Sequence, residues 1–575
     1  MHPLLLGVAL GLWPGAAPSL GQVPEPPPPN VLLVVLDDVG AYDLDILGLG
    51  SDPALTPRLS ALANEGLVFT NAVAEPNCSP SRAAILTGLR PHHSGVLSVN
   101  INSFSMDFED VTIPEALPAE YETAAIGKWH LSSNSQGPSA PLIHGFDHAA
   151  IAWTNITDYY DFGKFVNGVQ VPETEYVTTV QVDDALDWLV GRTEPWFCYL
   201  AFTAAHEPFQ SPPSALVGGT GGVGGGPGTS LGQGRATYLQ ILQALDTEFG
   251  RLLDALDPEV LANTTILVVG DNGTPATVSA PEWSSSTSKG TVYQGGVHVP
   301  LWIAGRGVQA PGTCSALVEV NDLFATVLEL TGADQPMGPD GQPAGGDSVS
   351  LVPYLENPTG PELRAHSFVH RWSPVSGSAG ALFVERSALR RDAFKLLRQT
   401  AVTGPPTLSL FDLEADPLEI NNLSNDPAFA AEVQELTHRM DAILASPGLS
   451  GSPSLIQVLE GGEQELLLHT NSGYGGALVW ILGSMSAGSG TVLDGFELPI
   501  AADLYTWHTL VRPNSAPLYG GFSESGPDGF LRASWRIEAG RLAALAGTRL
   551  RHAALVFGSA GNLAWVSEPA LLDLR

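Results

Sequence analysis

A cysteine and an arginine stand four residues apart in the segment Cys78-Ser79-Pro80-Ser81-Arg82. Four residues make about one helical turn, so a helix that begins near Ser79 would place the guanidinium beside residue 78. A guanidinium there could hold a nucleophile in its reactive orientation. An isolated cysteine more often packs as a small buried hydrophobe, so a catalytic role depends on the polar residues that accompany it.

Four apolar runs elsewhere in the chain end in polar clusters. Such runs are typical of strands buried on both faces of a parallel sheet. They are Asn30 to Leu36, Tyr121 to Gly127, Trp196 to Ala205 and Thr264 to Gly270, and they lead into Asp37-Asp38, Lys128-Trp129-His130, His206-Glu207 and Asp271-Asn272. Each cluster alone would more often be a turn or a helix cap. Because ligands bind at the carboxyl edge of open α/β sheets, we expect the four clusters to converge on one site.

The acidic clusters predict a metal site. Asp37, Asp38, Asp271 and Asn272 offer the oxygen ligands that hard cations prefer. Calcium tolerates several carboxylates in irregular geometry, whereas magnesium prefers octahedral sites rich in water, so we predict one calcium ion and leave magnesium as the alternative. Zinc is disfavoured because the cluster lacks nitrogen and sulfur ligands.

The spacing of Lys128 and His130 indicates how their side chains are arranged. Lys128 and His130 are two apart, which in an extended segment puts both side chains on one face. Most other histidines are expected to have surface or supporting roles. His298 is the best exception, since it lies just after the segment that carries Lys289.

From about Pro29 to Ala445, the motifs and their order resemble the type I (formylglycine-dependent) sulfatases of the alkaline phosphatase superfamily. CSPSR matches that family's signature of Cys, any residue, Pro, Ser and Arg. The other segments that carry the resemblance are VLLVVLDDVG, AAILTGLRP, IGKWHL, HGFD, AAHEPF, DNG, KGTVYQGGVHVPLWIAG and LFDLEADPLEINNL. One departure is Glu120, where the family usually has glycine.

The resemblance implies that a formylglycine-generating enzyme converts Cys78 into an aldehyde. One hydroxyl of the hydrated aldehyde would attack sulfur, and the other would later collapse to expel sulfate. Residue 78 would also be a calcium ligand. Asp271, beside the diol, is a candidate acceptor for the proton of the attacking hydroxyl.

Further roles follow from the same resemblance. Arg82 would orient the nucleophile, and Lys128 would bind the diol and the sulfate oxygens. His130 would take the proton that allows the collapse. His206 and Lys289 would protonate or stabilise the departing alcohol oxygen.

The N-terminal segment predicts export. The apolar run from Leu4 to Trp13, followed by Ser19-Leu20-Gly21, is typical of a signal peptide over residues 1–21, although it lacks a preceding lysine or arginine. We therefore expect a secreted or periplasmic protein. No run reaches the length of a bilayer span, so no transmembrane anchor is expected. Residues 22–29 predict an extended, proline-rich spacer without fixed structure.

Changes in composition divide the rest of the chain. Residues 30–365 alternate strands with helical patterns such as Ala236 to Leu256, which predicts a doubly wound, mostly parallel α/β sheet. Residues 366–445 combine short strands with a helix from Ala428 to Leu444, as in a small antiparallel subdomain. Residues 451–575 predict an appended β-sandwich-like accessory domain. The glycine-rich insertion from Gly218 to Gly234 is a flexible spacer or a mobile lip over the substrate cleft.

Charge and cysteine content restrict the partners. The formal net charge of −35 argues strongly against nucleic acid, because phosphate contacts require basic patches. A sulfated small molecule or glycan is also anionic, so local cations must overcome the field of the protein. Cys198 lies within an apolar run, which favours a buried thiol over a bridge to Cys314.

Three functions follow from these observations. The first is a sulfatase that acts on aryl or, in view of export and an accessory domain, carbohydrate sulfate esters. The second is a phosphonate monoester or phosphodiester hydrolase on the same framework. The third is a non-enzymatic glycan-binding protein with a degenerate site. The third is disfavoured because every expected site residue is present, namely Asp37, Cys78, Arg82, Lys128, His130 and Asp271.

Overall fold

The computed structural model describes residues 27–99, 105–218, 234–338, 343–374, 383–400 and 405–444, and beyond these only the backbone of strands between 448 and 574. The predicted signal peptide and most of the glycine-rich insertion lie outside the described residues.

A ten-stranded sheet forms the centre of the molecule. Its order is β10-β2-β9-β8-β1-β7-β3-β4-β5-β6, and the neighbours β10/β2, β8/β1, β1/β7, β7/β3 and β3/β4 are parallel. The strands are β1 (Asn30–Leu36), β2 (Leu67–Val73), β3 (Glu122–Lys128), β4 (His148–Ala152), β5 (Phe162–Val166), β6 (Val169–Glu173), β7 (Trp196–Ala201), β8 (Thr264–Gly270), β9 (Leu301–Gly305) and β10 (Gly312–Glu319). The four predicted strands are therefore adjacent, as β8, β1, β7 and β3.

Helices cover both faces of this sheet. They are α1 (Pro57–Glu65), α2 (Cys78–Thr87), α3 (Pro91–Ser94), α4 (Ile113–Ala116), α5 (Ala140–Ile143), α6 (Val177–Leu189), α7 (Arg235–Ala255), α8 (Pro258–Ala262), α9 (Gln294–Val297), α10 (Asp322–Thr331) and α11 (Val352–Glu356). Along β1, Leu32, Val34 and Leu36 belong to one apolar core, and the alternate residues belong to the other. Burial on both faces explains why this strand has no polar alternation.

A smaller antiparallel sheet follows. Its strands pair in chain order and are β11 (Ser367–Pro374), β12 (Phe383–Arg391), β13 (Phe394–Gln399) and β14 (Thr407–Asp412). Helix α12 (Ala430–Leu444) covers one face, where Leu436, Met440 and Leu444 pack against Phe368 and Leu396. The predicted fold class, a large mostly parallel α/β sheet followed by an antiparallel subdomain, is confirmed.

The segment beyond residue 447 is rich in strands. A four-stranded sheet has the order β15-β17-β23-β21, and a six-stranded sheet contains β16, β26, β24, β18 and β22 with β25 beside β24. The bounds are β15 (Gly448–Ser452), β16 (Leu455–Ile456), β17 (Gly462–His469), β18 (Leu478–Ser484), β19 (Thr491–Leu493), β20 (Phe496–Leu498), β21 (Leu518–Tyr519), β22 (Phe522–Glu524), β23 (Phe530–Ile537), β24 (Arg549–Phe557), β25 (Leu563–Val566) and β26 (Ala570–Leu574).

Residues 27–29, the described end of the proline-rich segment, contact the catalytic part of the chain. The carbonyls of Pro28 and Pro29 accept hydrogen bonds from Asn263 Nδ2 at 3.0 Å and Tyr121 Oη at 2.8 Å. A proline has no N–H to donate, but its carbonyl can accept a hydrogen bond. These two contacts therefore hold the residues immediately before β1 against the sheet.

The three cysteines, Cys78, Cys198 and Cys314, are all buried free thiols. Burial raises the pKa of Cys198 to about 12, which fits an inert thiol within β7. None of the helices in the described part of the chain is long and apolar enough to cross a bilayer.

We expect Leu436→Ala to loosen the antiparallel subdomain selectively. Leu436 is fully buried between α12 and the sheet, and such truncations cost about 2–5 kcal/mol. Hydrogen exchange of the β13 amides should then be at least about 30-fold faster, since opening of this unit becomes easier. Gln434→Ala, at an exposed position of the same helix, is the control. Equal exchange in the two variants would contradict this packing.

Candidate active site

The adjacent strands β8, β1, β7 and β3 bring the predicted polar clusters to one carboxyl edge. Asp271 follows β8, Asp37 follows β1, and Lys128 is the last residue of β3. The backbone joins the loops directly, since Asp271 N–H donates to Leu36 O at 3.0 Å and Ala205 N–H donates to Asp37 O at 2.8 Å. All four clusters meet at this edge because their strands are parallel neighbours.

Helix α2 begins at Cys78 and supplies Arg82 one turn later, as the spacing predicts. Both side chains are buried. The Arg82 guanidinium donates through Nε to Asp271 Oδ2 at 2.9 Å, and its Nη1 donates to Lys128 O at 3.1 Å. The guanidinium is therefore fixed between β8 and β3, beside the start of the helix.

Three buried carboxylates face three cations. Asp37 Oδ2 accepts from Lys128 Nζ at 2.6 Å, and Asp271 binds Arg82. Lys289, from a separate loop, forms an ion pair with Asp38. Each carboxylate thus has at least one cationic partner, and Asp37 has a second, since Arg82 Nη2 lies 3.7 Å from its Oδ1. All three carboxylates are at most 1 % exposed.

The same cluster fits a hard cation. Oxygens of Asp37, Asp38 and Asp271 lie within 4.8 Å of one another. Asp37 Oδ1, Asp38 Oδ2 and Asn272 Oδ1 are buried acceptors without a hydrogen-bond partner. Because Asn272 Nδ2 donates to Asp38 Oδ1 at 2.8 Å, the amide oxygen is left for another ligand. An all-oxygen set with three unsatisfied acceptors fits calcium better than zinc.

His130 approaches the other side of residue 78. Its Nδ1 lies 3.5 Å from Cys78 Sγ, and its carbonyl accepts from Ser79 Oγ at 2.8 Å. The segment is not extended through this residue as expected, because the backbone turns into the left-handed region with φ of 56°. That turn is held by the donation of His130 N–H to Trp153 O at 3.0 Å.

His206 lies on the side of Asp38. Its Nδ1 donates to Glu207 O at 2.6 Å, and its Nε2 is 4.0 Å from Asp38 Oδ2. Since a carbonyl can only accept, Nδ1 carries the proton and Nε2 faces the site. Tyr159 Oη donates to His206 O at 2.6 Å and fixes the backbone of this loop.

Burial and neighbouring charges shift the pKa values of the two site carboxylates Asp37 and Asp271 in opposite directions. Burial alone would raise the pKa of Asp37, but Lys128 and Arg82 outweigh burial and hold it well below its ordinary value. Burial and the negative charge of Asp37 raise the pKa of Asp271 to about 7, against the opposing effect of Arg82. Burial, with Lys128 and Arg82 nearby, lowers the pKa of His130 to about 2. His130 is accordingly a neutral imidazole.

Sequence reasoning missed the layer beneath the site. Tyr238 Oη donates to Asp38 O at 2.9 Å and lies 3.2 Å from Asp43 Oδ2. Asp43 also binds Arg235 at 2.8 Å. The spacing of Tyr238 along α7 predicts only that it is a buried apolar position of an amphipathic helix. It does not predict the hydrogen bond that the Tyr238 hydroxyl group makes. His298, the expected exception, instead faces Thr70 O at 3.0 Å and supports β2.

Comparison with known proteins agrees with this geometry. A family model described as Sulfatase matches residues 29–333. N-acetylgalactosamine-6-sulfatase of Homo sapiens is 32% identical over 379 residues, which cover 59% of this chain and 67% of the relative. Arylsulfatase A of Bos taurus is 29% identical over 452 residues, which cover 69% and 83%.

Solved structures share the fold. The crystal structure of Ps i-CgsB has a TM-score of 0.59 and 26% identity, and the match covers 72% of this chain and 92% of that one. Ps i-CgsB in complex with k-i-k-neocarrahexaose gives the same TM-score at 25% identity. On the evidence of the matched family model and these relatives, the chain belongs to the sulfatase family, whose members are sulfuric ester hydrolases.

Proposed function

We propose that this protein is an exported, calcium-assisted sulfatase that removes sulfate esters from carbohydrates by means of a formylglycine at position 78. The observation that carries the proposal is the position of Cys78. It stands at the start of α2, with Arg82 one turn away and His130 Nδ1 3.5 Å from its sulfur, beside the buried cluster of Asp37 and Asp271. That combination joins a modifiable cysteine to a cation site and a proton acceptor.

Asp37, Asp38, Asp271 and Asn272 would hold the calcium ion, together with residue 78. When bound, the ion would offset negative charge on the sulfate oxygens. The matured residue 78 would supply the oxygen nucleophile.

The residues around position 78 would orient the nucleophile and offset the negative charge of the sulfate group. Arg82 is fixed by Asp271, so its guanidinium can hold the group at residue 78 in one orientation. Lys128, held by Asp37 at 2.6 Å, places an ammonium where negative sulfate oxygens would lie. His130 is neutral and can accept the proton from the oxygen at residue 78.

The departing alcohol would be stabilised from the opposite side. His206 presents Nε2 near Asp38, and Lys289 approaches the same carboxylate from its own loop. Lys289 can donate a proton to the leaving oxygen or offset its charge, and His206 can donate from Nε2 once its imidazole is doubly protonated.

Carbohydrate sulfates are the favoured substrate class. The relatives include N-acetylgalactosamine-6-sulfatase, and Ps i-CgsB was crystallised with a neocarrahexaose. The apolar leader at residues 1–21 supports export, and the motif at Cys78 supports a formylglycine-generating enzyme as the maturation partner. A phosphonate or phosphodiester substrate remains the alternative and belongs in the same activity panel.

Maturation of Cys78 should decide activity. After coexpression with a formylglycine-generating enzyme, the tryptic peptide should have the mass of the aldehyde, and turnover of an aryl sulfate should rise with the aldehyde fraction. Cys78→Ala should lose at least about 10³-fold in kcat, because the nucleophile is absent. Cys198→Ala, which removes a buried thiol outside the site, is the control. Equal turnover of Cys78→Ala and the matured protein would contradict the assignment.

The metal site can be tested by thermal stability, without measuring activity, by removing calcium and adding it back. A ligand that binds only the folded state raises stability by about 2.7 kcal/mol at a hundred times its Kd. Calcium should therefore raise the Tm of the chelator-treated protein, and Asp38→Asn should abolish most of that rise. Asp187→Asn, on the exposed face of α6, should keep it. A larger rise in Tm with magnesium than with calcium would assign the site to magnesium instead. No rise in Tm with either ion would contradict the metal site.

The segment after residue 447 should be separable from catalysis. Every residue of the proposed site precedes Ala445, and the boundary is rich in Ser, Pro and Gly. A protein that ends at Ala445 should keep turnover of a small aryl sulfate within about a factor of three of the full chain. Circular dichroism should establish that it is folded. A folded but inactive truncated protein would mean that the C-terminal strands brace the site.

A further inference from the structure

The inner face of the antiparallel sheet packs only partly against the catalytic part of the chain. Val369, Ala388, Leu397 and Phe411 form an apolar cluster with Val292. Beyond this cluster the sheet and the segment around residues 285–293 separate and leave a cavity of about 520 Å³. The cavity is lined mainly by polar side chains, so apolar packing does not explain it.

Two arginines in this cavity lack an anionic partner in the described part of the chain. Arg371 of β11 and Arg386 of β12 are directly opposite each other in the antiparallel register. Arg386 Nε donates to the neutral amide of Gln399 at 2.9 Å, and Arg371 Nε is buried without a partner. Among the residues that the structure describes, no carboxylate oxygen lies within 4 Å of either guanidinium. Arg398, which also borders the cavity, is by contrast paired with Asp441 at 2.5 Å.

This arrangement is unfavourable in the free protein. Like charges directly opposite on neighbouring strands repel. Burial and the charge of Arg386 lower the pKa of Arg371 to about 10. The chain has 60 acidic residues for 25 lysines and arginines, so carboxylates are plentiful in the sequence, yet none of those within the described ranges reaches this pair. An unpaired, partly buried guanidinium pair of this kind is suited to an anionic ligand.

The cavity lies next to the proposed catalytic residues. A methyl group on Gly290 would come within 3.3 Å of Arg371 Nη1, so the guanidinium packs against this glycine. Gly290 N–H donates to Pro76 O at 2.8 Å, two residues before Cys78. The preceding residue, Lys289, reaches Asp38. One short backbone segment thus connects the active site to the arginine pair.

We propose that Arg371 and Arg386 form a second anion subsite, which binds a sulfate or carboxylate group of the glycan other than the sulfate ester that is cleaved. This inference rests on the proposed sulfatase function. It assigns to the enzyme a preference for glycans with two or more anionic groups. The cavity has room for such a substituent, and bidentate guanidinium groups match the geometry of both anions.

The test compares Arg371→Gln, Arg386→Gln and Arg386→Lys in the full-length, matured protein. The substrates are an aryl sulfate with one anionic group, and oligosaccharides of chondroitin sulfate, heparin and carrageenan, each beside a monosulfated sugar of the same type. Both glutamine variants should leave kcat/KM for the aryl sulfate within about twofold. They should raise KM about 10- to 100-fold for the cleaved multiply charged oligosaccharide, the range for loss of a charge-assisted hydrogen bond. Arg386→Lys should give an intermediate rise.

Arg390→Gln is the matched control, since it removes the same charge from the same strand at a residue bound to Asn71 instead. Binding of the same sugars to Cys78→Ala provides an assay that needs no turnover. The glutamine variants should also melt at or above the Tm of the parent protein, because one of two repelling charges is gone. A purely structural role would lower the Tm.

The outcomes separate the two proposals. Absence of sulfate release from every substrate by the matured parent protein would contradict the proposed function. Binding that does not favour multiply charged sugars, or that keeps this preference in both glutamine variants, would overturn the subsite. Arginine-dependent binding of inorganic sulfate without any preference among the sugars would indicate a free-anion site and would overturn it as well.

Discussion

The neutralisation of three buried carboxylates is the constraint on which the rest of the site depends. Asp37, Asp38 and Asp271 offer oxygens within 4.8 Å of one another and are almost fully buried. At an effective dielectric constant near 20, two unit charges at that distance repel by about 3.5 kcal/mol. The summed repulsion of the three pairs is therefore comparable with the free energy of unfolding of a typical domain. Lys128, Arg82 and Lys289 are therefore required to offset this repulsion, and the remaining unsatisfied oxygens explain why a cation fits.

The strand order follows from this requirement, because each charge comes from a different part of the chain. Parallel neighbours β8, β1, β7 and β3 end at the same edge and deliver the carboxylates, Lys128 and the loop of His206 to one place. Local strain accompanies the convergence. Asp38 and His130 both have positive φ, which costs about 1–3 kcal/mol each for residues other than glycine. Backbone donors from these residues to Asp271 at 3.0 Å and to Trp153 O at 3.0 Å hold the two turns.

A strongly acidic enzyme for an anionic ester must concentrate its positive charge. In the proposed active site the cations are paired with carboxylates, so their net contribution to binding a sulfate oxygen would depend on a bound metal ion as well. The arginine pair of the antiparallel sheet differs, since its charge is uncompensated among the described residues. On the two proposals together, the active site would supply the reaction geometry and the neighbouring cavity would select the charge pattern of the substrate.

Apolar runs without alternation determined β1 and β8 to the residue, since only strands buried on both faces suit them. The sequence alone also predicted a helix start near Ser79, one residue from the observed start of α2 at Cys78, and the polar clusters after each strand, because these are local patterns. It did not predict that Lys289 reaches Asp38, that His130 leaves the extended conformation, or that His298 supports β2. Nor could it place Arg371 opposite Arg386, which depends on the register of two strands. These features were decided only by tertiary structure, because charge pairing across more than 200 residues and cross-strand register leave no periodic signal in the chain.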